Sequence, residues 1–137
     1  MKPLLVFAME QEAQDVFGAY DVLHTQIGKV NAAYALTKRL LVGERPDVVI
    51  NLGTCGSRKF ESGSVVNPTR FVQRDMDVRP LGFSLGQTPF SDDPVVLEYG
   101  RRVEAYADAL CGSGDNFDTS AEAVSYTHLT LPTTPYV

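Results

Sequence analysis

Glu10 and Glu12 stand in a short polar island, Ala8-Met9-Glu10-Gln11-Glu12, directly after the apolar run Leu4-Leu5-Val6-Phe7. A carboxylate set in a ligand crevice can take a proton from water and act as a general base. The same position also suits a solvated carboxylate at a helix start, where the helix dipole favours negative charge. Three further islands follow in order: Ile27-Gly28-Lys29-Val30-Asn31-Ala32-Ala33, Asn51-Leu52-Gly53-Thr54-Cys55-Gly56-Ser57 and Gly112-Ser113-Gly114-Asp115-Asn116-Phe117. In the third, glycines permit a tight turn and close backbone approach to a ligand. Thr54 and Ser57 offer hydroxyls, and exposed N–H groups there could bind an oxyanion. That island lacks the lysine of a phosphate-binding P-loop and the spacing of a dinucleotide fingerprint. A simple turn would satisfy it as well. Cys55 has no histidine near it in sequence and reads as a small buried residue rather than a nucleophile. Lys29 reads as a surface lysine. Phe117 either offers its face to a planar base or packs in a core.

Each island sits where a strand should end. In an open α/β sheet the carboxyl ends of the strands line the ligand crevice, so four polar loops converging there predict a small-molecule site. Leu4 to Ala8 predicts a strand buried on both faces, and Glu10 to Phe17 a short helix stopped by Gly18. Tyr20 to Gln26 reads as a second strand. Val30, Ala33, Tyr34, Leu36, Leu40 and Leu41 recur at helical spacing up to Gly43, with Pro46 beyond. Val48 to Leu52 predicts a third strand buried on both faces. Strand pieces are expected at Ser64–Val66 and Thr69–Val72, then a long loop over Asp75–Pro94. Between Val95 and Ala109 the spacing of Val96, Tyr99, Val103, Tyr106 and Leu110 fits a helix, with Asp93 as cap and Pro94 at its first position. Gly100 and the β-branched content argue against that helix. Ala109 to Cys111 reads as a strand feeding the last island.

The 137 residues suffice for one domain or part of one. A formal charge of −5 gives no electrostatic footprint for nucleic acid, and no apolar run reaches the ~20 residues that span a bilayer. The N-terminus is too short for a signal peptide before the first island. Cys55 and Cys111 read as buried thiols of a reducing compartment, so the cytoplasm is expected. The two histidines make no metal site at any usual spacing. The pattern stops near Val124. Ser125 to Val137 contains no Asp, Glu, Lys or Arg and no period that continues it. It resembles translated sequencing-adapter readthrough, and 125–137 is expected to be a non-native or disordered tail outside the fold.

Taken in order, the islands resemble the nucleoside phosphorylase and nucleosidase superfamily, and within it the 5′-methylthioadenosine/S-adenosylhomocysteine nucleosidases. The family's Ala-Met-Glu-x-Glu matches Ala8–Glu12, its Ile-Gly-Lys-Val matches Ile27–Val30, and its Asn-x-Gly-Ser/Thr-x-Gly matches Asn51–Gly56. Its Asp-x-Asp-Val, Gly-aromatic and Gly-Gln-x-Pro pieces match Asp75–Val78, Gly82-Phe83 and Gly86–Pro89. Its Ser-Gly-Asp-x-Phe matches Ser113–Phe117. The resemblance covers residues 3 to about 120. Leu81 stands where the family often has an aromatic, and Asp92–Leu110 is shorter than the usual helix. The family's second half, with its Glu-Met-Glu ribose loop and the aspartate that protonates the base, has no counterpart here.

The resemblance implies an α/β fold with a mostly parallel mixed sheet flanked by helices, phosphorylase/hydrolase-like and truncated after the last matching motif. Residues 1–124 would be the N-terminal part of one nucleosidase domain. It implies hydrolysis of the N-ribosidic bond of a 5′-thio-substituted adenosine, with Glu12 holding the attacking water. Met9, Thr54, Cys55, Gly56, Phe83, Pro89 and Phe117 would touch the purine nucleoside. No cofactor or metal is implied. A homodimer is, with Asp75–Phe90 at its interface, and the chain by itself is expected to be inactive. One alternative is a phosphate-dependent phosphorylase, which usually opens with a glycine-and-arginine loop where this chain has Met9–Glu12. The other is an inert α/β fragment that retains purine affinity.

Overall fold

A computed structural model describes residues 1–116 together with the strand Leu129–Leu131. The chain divides into two compact units, 1–54 and 55–137.

The first unit is a three-stranded, all-parallel sheet in the order β2-β1-β3, formed by β1 (Pro3–Phe7), β2 (Asp21–His24) and β3 (Val48–Asn51). Leu4, Leu5, Val6 and Phe7 of the central strand are all buried, as a strand covered on both faces requires. Between β1 and β2 lies a single helical turn, α1 (Glu10–Ala13). The helix foreseen to Phe17 stops at Ala13 because Gln14 and Asp15 both adopt left-handed backbone with φ of 46°. That reversal brings Phe17 back onto Phe7, ring centroids 5.2 Å apart, in the small core with Leu5, Ala13, Val22 and Leu52.

Between β2 and β3 runs α2 (Lys29–Val42), opened by Gly28 at φ 104° and closed by Gly43. The guanidinium of Arg39 donates to the Glu44 carbonyl and pairs with Asp21, tying the helix end to the start of β2. The helix falls where its periodicity placed it, yet none of its residues is buried, and Val30 and Leu41 are 78% and 80% exposed. The burial expected on both faces of the third strand is likewise corrected: Val49 and Ile50 are exposed. The cause is topological, since β3 is an edge strand and only β1 lies between two neighbours.

The second unit holds a four-stranded mixed sheet in the order β5-β4-β6-β7, from β4 (Arg70–Gln73), β5 (Leu97–Glu98), β6 (Leu110–Ser113) and β7 (Leu129–Leu131). Strand β5 pairs antiparallel to β4, whereas β6 runs parallel to both β4 and β7. Among the described residues no helix forms after Pro94. The Asp93 carboxylate accepts a hydrogen bond from Ser91, Gly100 turns at φ +86°, and between Pro94 and Ala109 the only strand is Leu97–Glu98. Of the expected piece at Ser64–Val66, Val66 alone makes a bridge, to Ala107. Within 125–137, Leu129–Leu131 pair in parallel with β6 as an edge strand. Ala109 and Cys111 form the core here, with Cys55, Phe60, Val66 and Phe71 packed on them.

The long segment over 75–94 contains one turn of 3-10 helix at Arg79–Leu81 and folds back on β4. Gly86 is the pivot. Its N–H donates to the Met76 carbonyl at 2.8 Å, its φ is +80°, and an added Cβ would lie 2.8 Å from Val72 and 3.1 Å from Val95. Gly86→Ala therefore meets left-handed backbone and a clash together, and should cost about 2 kcal/mol or more in denaturant unfolding. Asp108 supplies a pH test. Burial pushes its carboxyl up, but hydrogen bonds from Thr69 and Ala109, with the charge of Arg70, outweigh this and hold it below the usual carboxylate range. A carboxyl depressed by folding stabilises above its unfolded pKa of about 4, and that stabilisation fades as pH falls through the lower folded value. The stability gap between the native protein and Asp108→Asn should be widest above pH about 4 and shrink on acidification.

Candidate active site

Chain order reverses at β1. The chain passes from β1 to β2 on one side, then crosses through α2 to β3 on the other. Strand β1 is thus the topological switch point, and in open α/β sheets the crevice at the carboxyl ends of such strands takes the ligand. Three of the four islands leave the sheet at this edge: Ala8–Glu12 from β1, Ile27–Ala33 from β2 and Leu52–Thr54 from β3. The register sets Val6 opposite Asn51, and the Leu52 N–H donates to the Val6 carbonyl at 2.8 Å. The first and third islands therefore emerge side by side.

Glu12 joins them. Its Oε2 accepts hydrogen bonds from the Ala8 and Met9 backbone N–H groups, both at 3.2 Å. Its Oε1 accepts from the Thr54 N–H at 3.2 Å and the Thr54 hydroxyl at 3.3 Å. Glu12 reaches back over the start of its own helical turn and across to the end of the neighbouring strand. Gly53 makes room for this, since a Cβ there would stand 3.2 Å from Oε1. The carboxylate is half-buried and Thr54 is exposed. Three of the four donors are backbone amides with fixed directions. The fourth is a hydroxyl, which can rotate and yield its place to a water. Every partner is neutral, so nothing in this shell cancels the charge of the carboxylate. Such a group can orient a water molecule and take its proton. The neighbouring Glu10 is exposed and makes none of these contacts.

The structure brings Glu12, Met9 and Thr54 together in the first unit. In the second unit, Cys55 packs against the core of Ala109 and Cys111, and burial pushes its thiol up from the ordinary value. A raised thiol is a poor nucleophile, which agrees with the reading of Cys55 as no nucleophile, while the burial expected for it is corrected to half-buried. Gly56 follows it. Phe83 lies edge-on to Phe90 with centroids 5.4 Å apart, and Pro89 is half-buried next to Phe90. Gln73 donates to the hydroxyl of Thr88, which ties that segment to the end of β4. Phe117 lies outside the described residues. Sequence reasoning missed Arg74 and Asp75, which follow β4 and hold the fourth island through Asn116 and Asp115. The available signal was an arginine next to a carboxylate at the end of an expected strand. Among the described residues no group of His, Cys, Asp and Glu could hold a metal, and no helix is long and apolar enough to cross a membrane.

A family model for the phosphorylase superfamily matches residues 14–125. The matched stretch contains the second, third and fourth islands and begins just past Glu12. Among curated relatives, the 5′-methylthioadenosine/S-adenosylhomocysteine nucleosidase of Actinobacillus succinogenes is 33% identical over 126 residues, which is 81% of this chain and 53% of that protein. The nucleosidase of the same description from an Exiguobacterium species is 44% identical over 71 residues, 50% of this chain and 30% of that protein. The chain spans about half the length of the curated relatives it matches. Among solved structures, the Neisseria meningitidis nucleosidase in complex with methylthio-immucillin-A is 28% identical, with a TM-score of 0.69 over 91% of this chain and 70% of that one. Helicobacter pylori MTAN shares the fold, with a TM-score of 0.77 at 20% identity over 95% of this chain and 77% of its own. On the strength of these matches, the chain belongs to the phosphorylase superfamily.

Proposed function

We propose that this chain supplies the water-side part of a purine nucleosidase that hydrolyses the N-ribosidic bond of 5′-methylthioadenosine/S-adenosylhomocysteine-type nucleosides and releases adenine. The observation that carries this reading is the Glu12 carboxylate, held at the switch point by Ala8, Met9 and Thr54 with no cation among its partners. The bond from the anomeric carbon to the base nitrogen breaks and its electron pair leaves with the base. Water held by Glu12 forms the new bond to the anomeric carbon and gives its proton to the carboxylate. The departing base takes up a proton of its own. On this reading the acid that delivers it belongs to the half of the relatives' length that this chain does not match, and 1–137 alone does not turn over. Thr54, Cys55 and Gly56 line the sugar side, Phe83 and Pro89 the 5′ side, and Phe117 stacks on adenine. Residues 1–124 belong to one nucleosidase domain, and the protein works in the cytoplasm as a homodimer. The segment 75–90, where Phe90 is 96% exposed and Leu81 73%, supports the dimer.

Phosphate separates this reading from a phosphorylase. In the full reading frame that carries this chain, adenine release from 5′-methylthioadenosine should proceed at one rate with or without phosphate, and the product should be the free sugar. A phosphate requirement with formation of the sugar 1-phosphate would replace hydrolase by phosphorylase. Release by neither route, with adenine still bound, would leave the inert purine-binding fragment.

Glu12→Gln tests the mechanism. Turnover should fall by about 10²–10⁴, the usual contribution of a general base. Glu10→Gln should be mild. Because the amide turns an NH₂ toward one donor pair, melting curves belong beside the kinetics. Turnover near normal in a folded Glu12→Gln protein would remove the base from the mechanism.

A further inference from the structure

Resting on the nucleosidase reading above, we propose that Gly53 is a positioning residue for the reaction: its lack of a side chain lets the Glu12 carboxylate stand where it takes a proton from water. Two reasons can put a glycine at a strand end. One is a backbone conformation that other residues resist, and the other is space for something else. The first does not apply. Gly28, Gly63, Gly82, Gly86 and Gly100 have positive φ, and Gly53 does not. An alanine can follow its backbone. The second applies in a specific way. The three heavy atoms nearest a Cβ built on Gly53 all belong to one side chain: Glu12 Oε1 at 3.2 Å, Cδ at 3.8 Å and Oε2 at 3.9 Å. The two residues are far apart in the chain, and the parallel pairing of β1 with β3 brings them together.

A methyl carbon 3.2 Å from an oxygen is inside ordinary contact by a few tenths of an ångström, so the carboxylate or the strand end must yield. The carboxylate has little room. Oε2 is held by the Ala8 and Met9 amides, and Oε1 by the Thr54 amide and hydroxyl, all at 3.2–3.3 Å. These bonds are already long, and a shift that lengthens them further takes them out of hydrogen-bond range. Three of the donors are main-chain groups and do not follow a displaced carboxylate. Such a shift costs catalysis more than it costs folding. The fold loses part of one set of polar contacts, whereas a misplacement of 1 Å in a reacting group can cost about 10²-fold in rate. Glycine also has more freedom to lose on folding than alanine has. Stability favours alanine at this position, and the placement of the carboxylate favours glycine.

The test uses the full reading frame with 5′-methylthioadenosine as substrate. Gly53→Ala should lower kcat about 5- to 30-fold, the part of the 1 Å penalty that a shift of a few tenths of an ångström incurs. KM should change little, because the lost interaction is one made in the transition state. The melting temperature should stay within about 3 °C of native, since alanine removes freedom from the unfolded chain and offsets the strained contact. A double-variant cycle supplies a readout that a structural role would not move. In the Glu12→Gln background, Gly53→Ala should remove little of the turnover that remains, because the carboxylate it displaces is already gone. Independent losses, with the double variant impaired by the product of the two single effects, would make Gly53 structural and overturn the inference. So would native kcat in Gly53→Ala, or a loss of folding that accounts for its loss of turnover. Each of these leaves the nucleosidase reading standing while Glu12→Gln alone is impaired. No adenine release by the native protein, or turnover near normal in Glu12→Gln, removes that reading and this inference with it.

Discussion

Parallel pairing of β1 with β3 governs the first unit, because it decides which loops can meet. With Val6 opposite Asn51, Ala8-Met9 and Gly53-Thr54 leave the sheet in the same direction. One carboxylate can then bind the amides of both. A register slip of one residue would invert the faces of β3 and move Thr54 away from Glu12. The carboxylate also works in return on the fold: it satisfies amides at the start of α1 that the helical turn leaves without partners. Structure and chemistry thus draw on the same four hydrogen bonds. At 3.2–3.3 Å these are longer than the usual N–H···O distance. The grip orients the carboxylate without saturating it, which suits the water-holding role proposed for Glu12.

Electrostatics bears on the choice between the proposed hydrolysis and its phosphorolytic alternative. Two unit charges 4 Å apart repel by about 4 kcal/mol at an effective dielectric of 20. A phosphate entering the strand-end crevice of the first unit would meet the uncompensated charge of Glu12. Neutral donors orient a carboxylate but do not discharge it. Water carries no charge and gains a proton acceptor at the same place. On the proposed reading, this donor set favours water over phosphate at Glu12.

The parts of the fold legible in the sequence were those fixed by local physics. Strand β1 announced itself by four consecutive large apolar residues, and α2 by periodicity closed with Gly43 and Pro46. Glu12 was legible as a residue type in a place; its reach to Thr54 was not, because that contact spans 42 positions and depends on the order β2-β1-β3. The early stop of α1 was hidden because Gln14 and Asp15 are ordinary helix residues, driven to left-handed backbone by the packing of Phe17 on Phe7. After Pro94, propensity pointed two ways and the sheet decided: Leu97 and Glu98 pair with Phe71 and Arg70, and Gly100 takes a φ that a helix forbids. Arg74 went unread because burial of a charge cannot be seen in composition.

The apolar residues that the structure leaves uncovered follow from the same topology. Periodicity in α2 writes an apolar stripe, and a stripe on a helix that packs only on an edge strand has little to face. Val30, Tyr34, Leu41 and Val42 are exposed, as are Val49 and Ile50 on β3. Fully burying one such aliphatic side chain stabilises by about 1.5–3 kcal/mol, so together these residues represent a driving force comparable to the whole stability of a small domain. Strand β1, covered by its own neighbours, and Glu12, held by backbone from within the same unit, are complete by themselves, whereas α2 and β3 leave apolar side chains exposed.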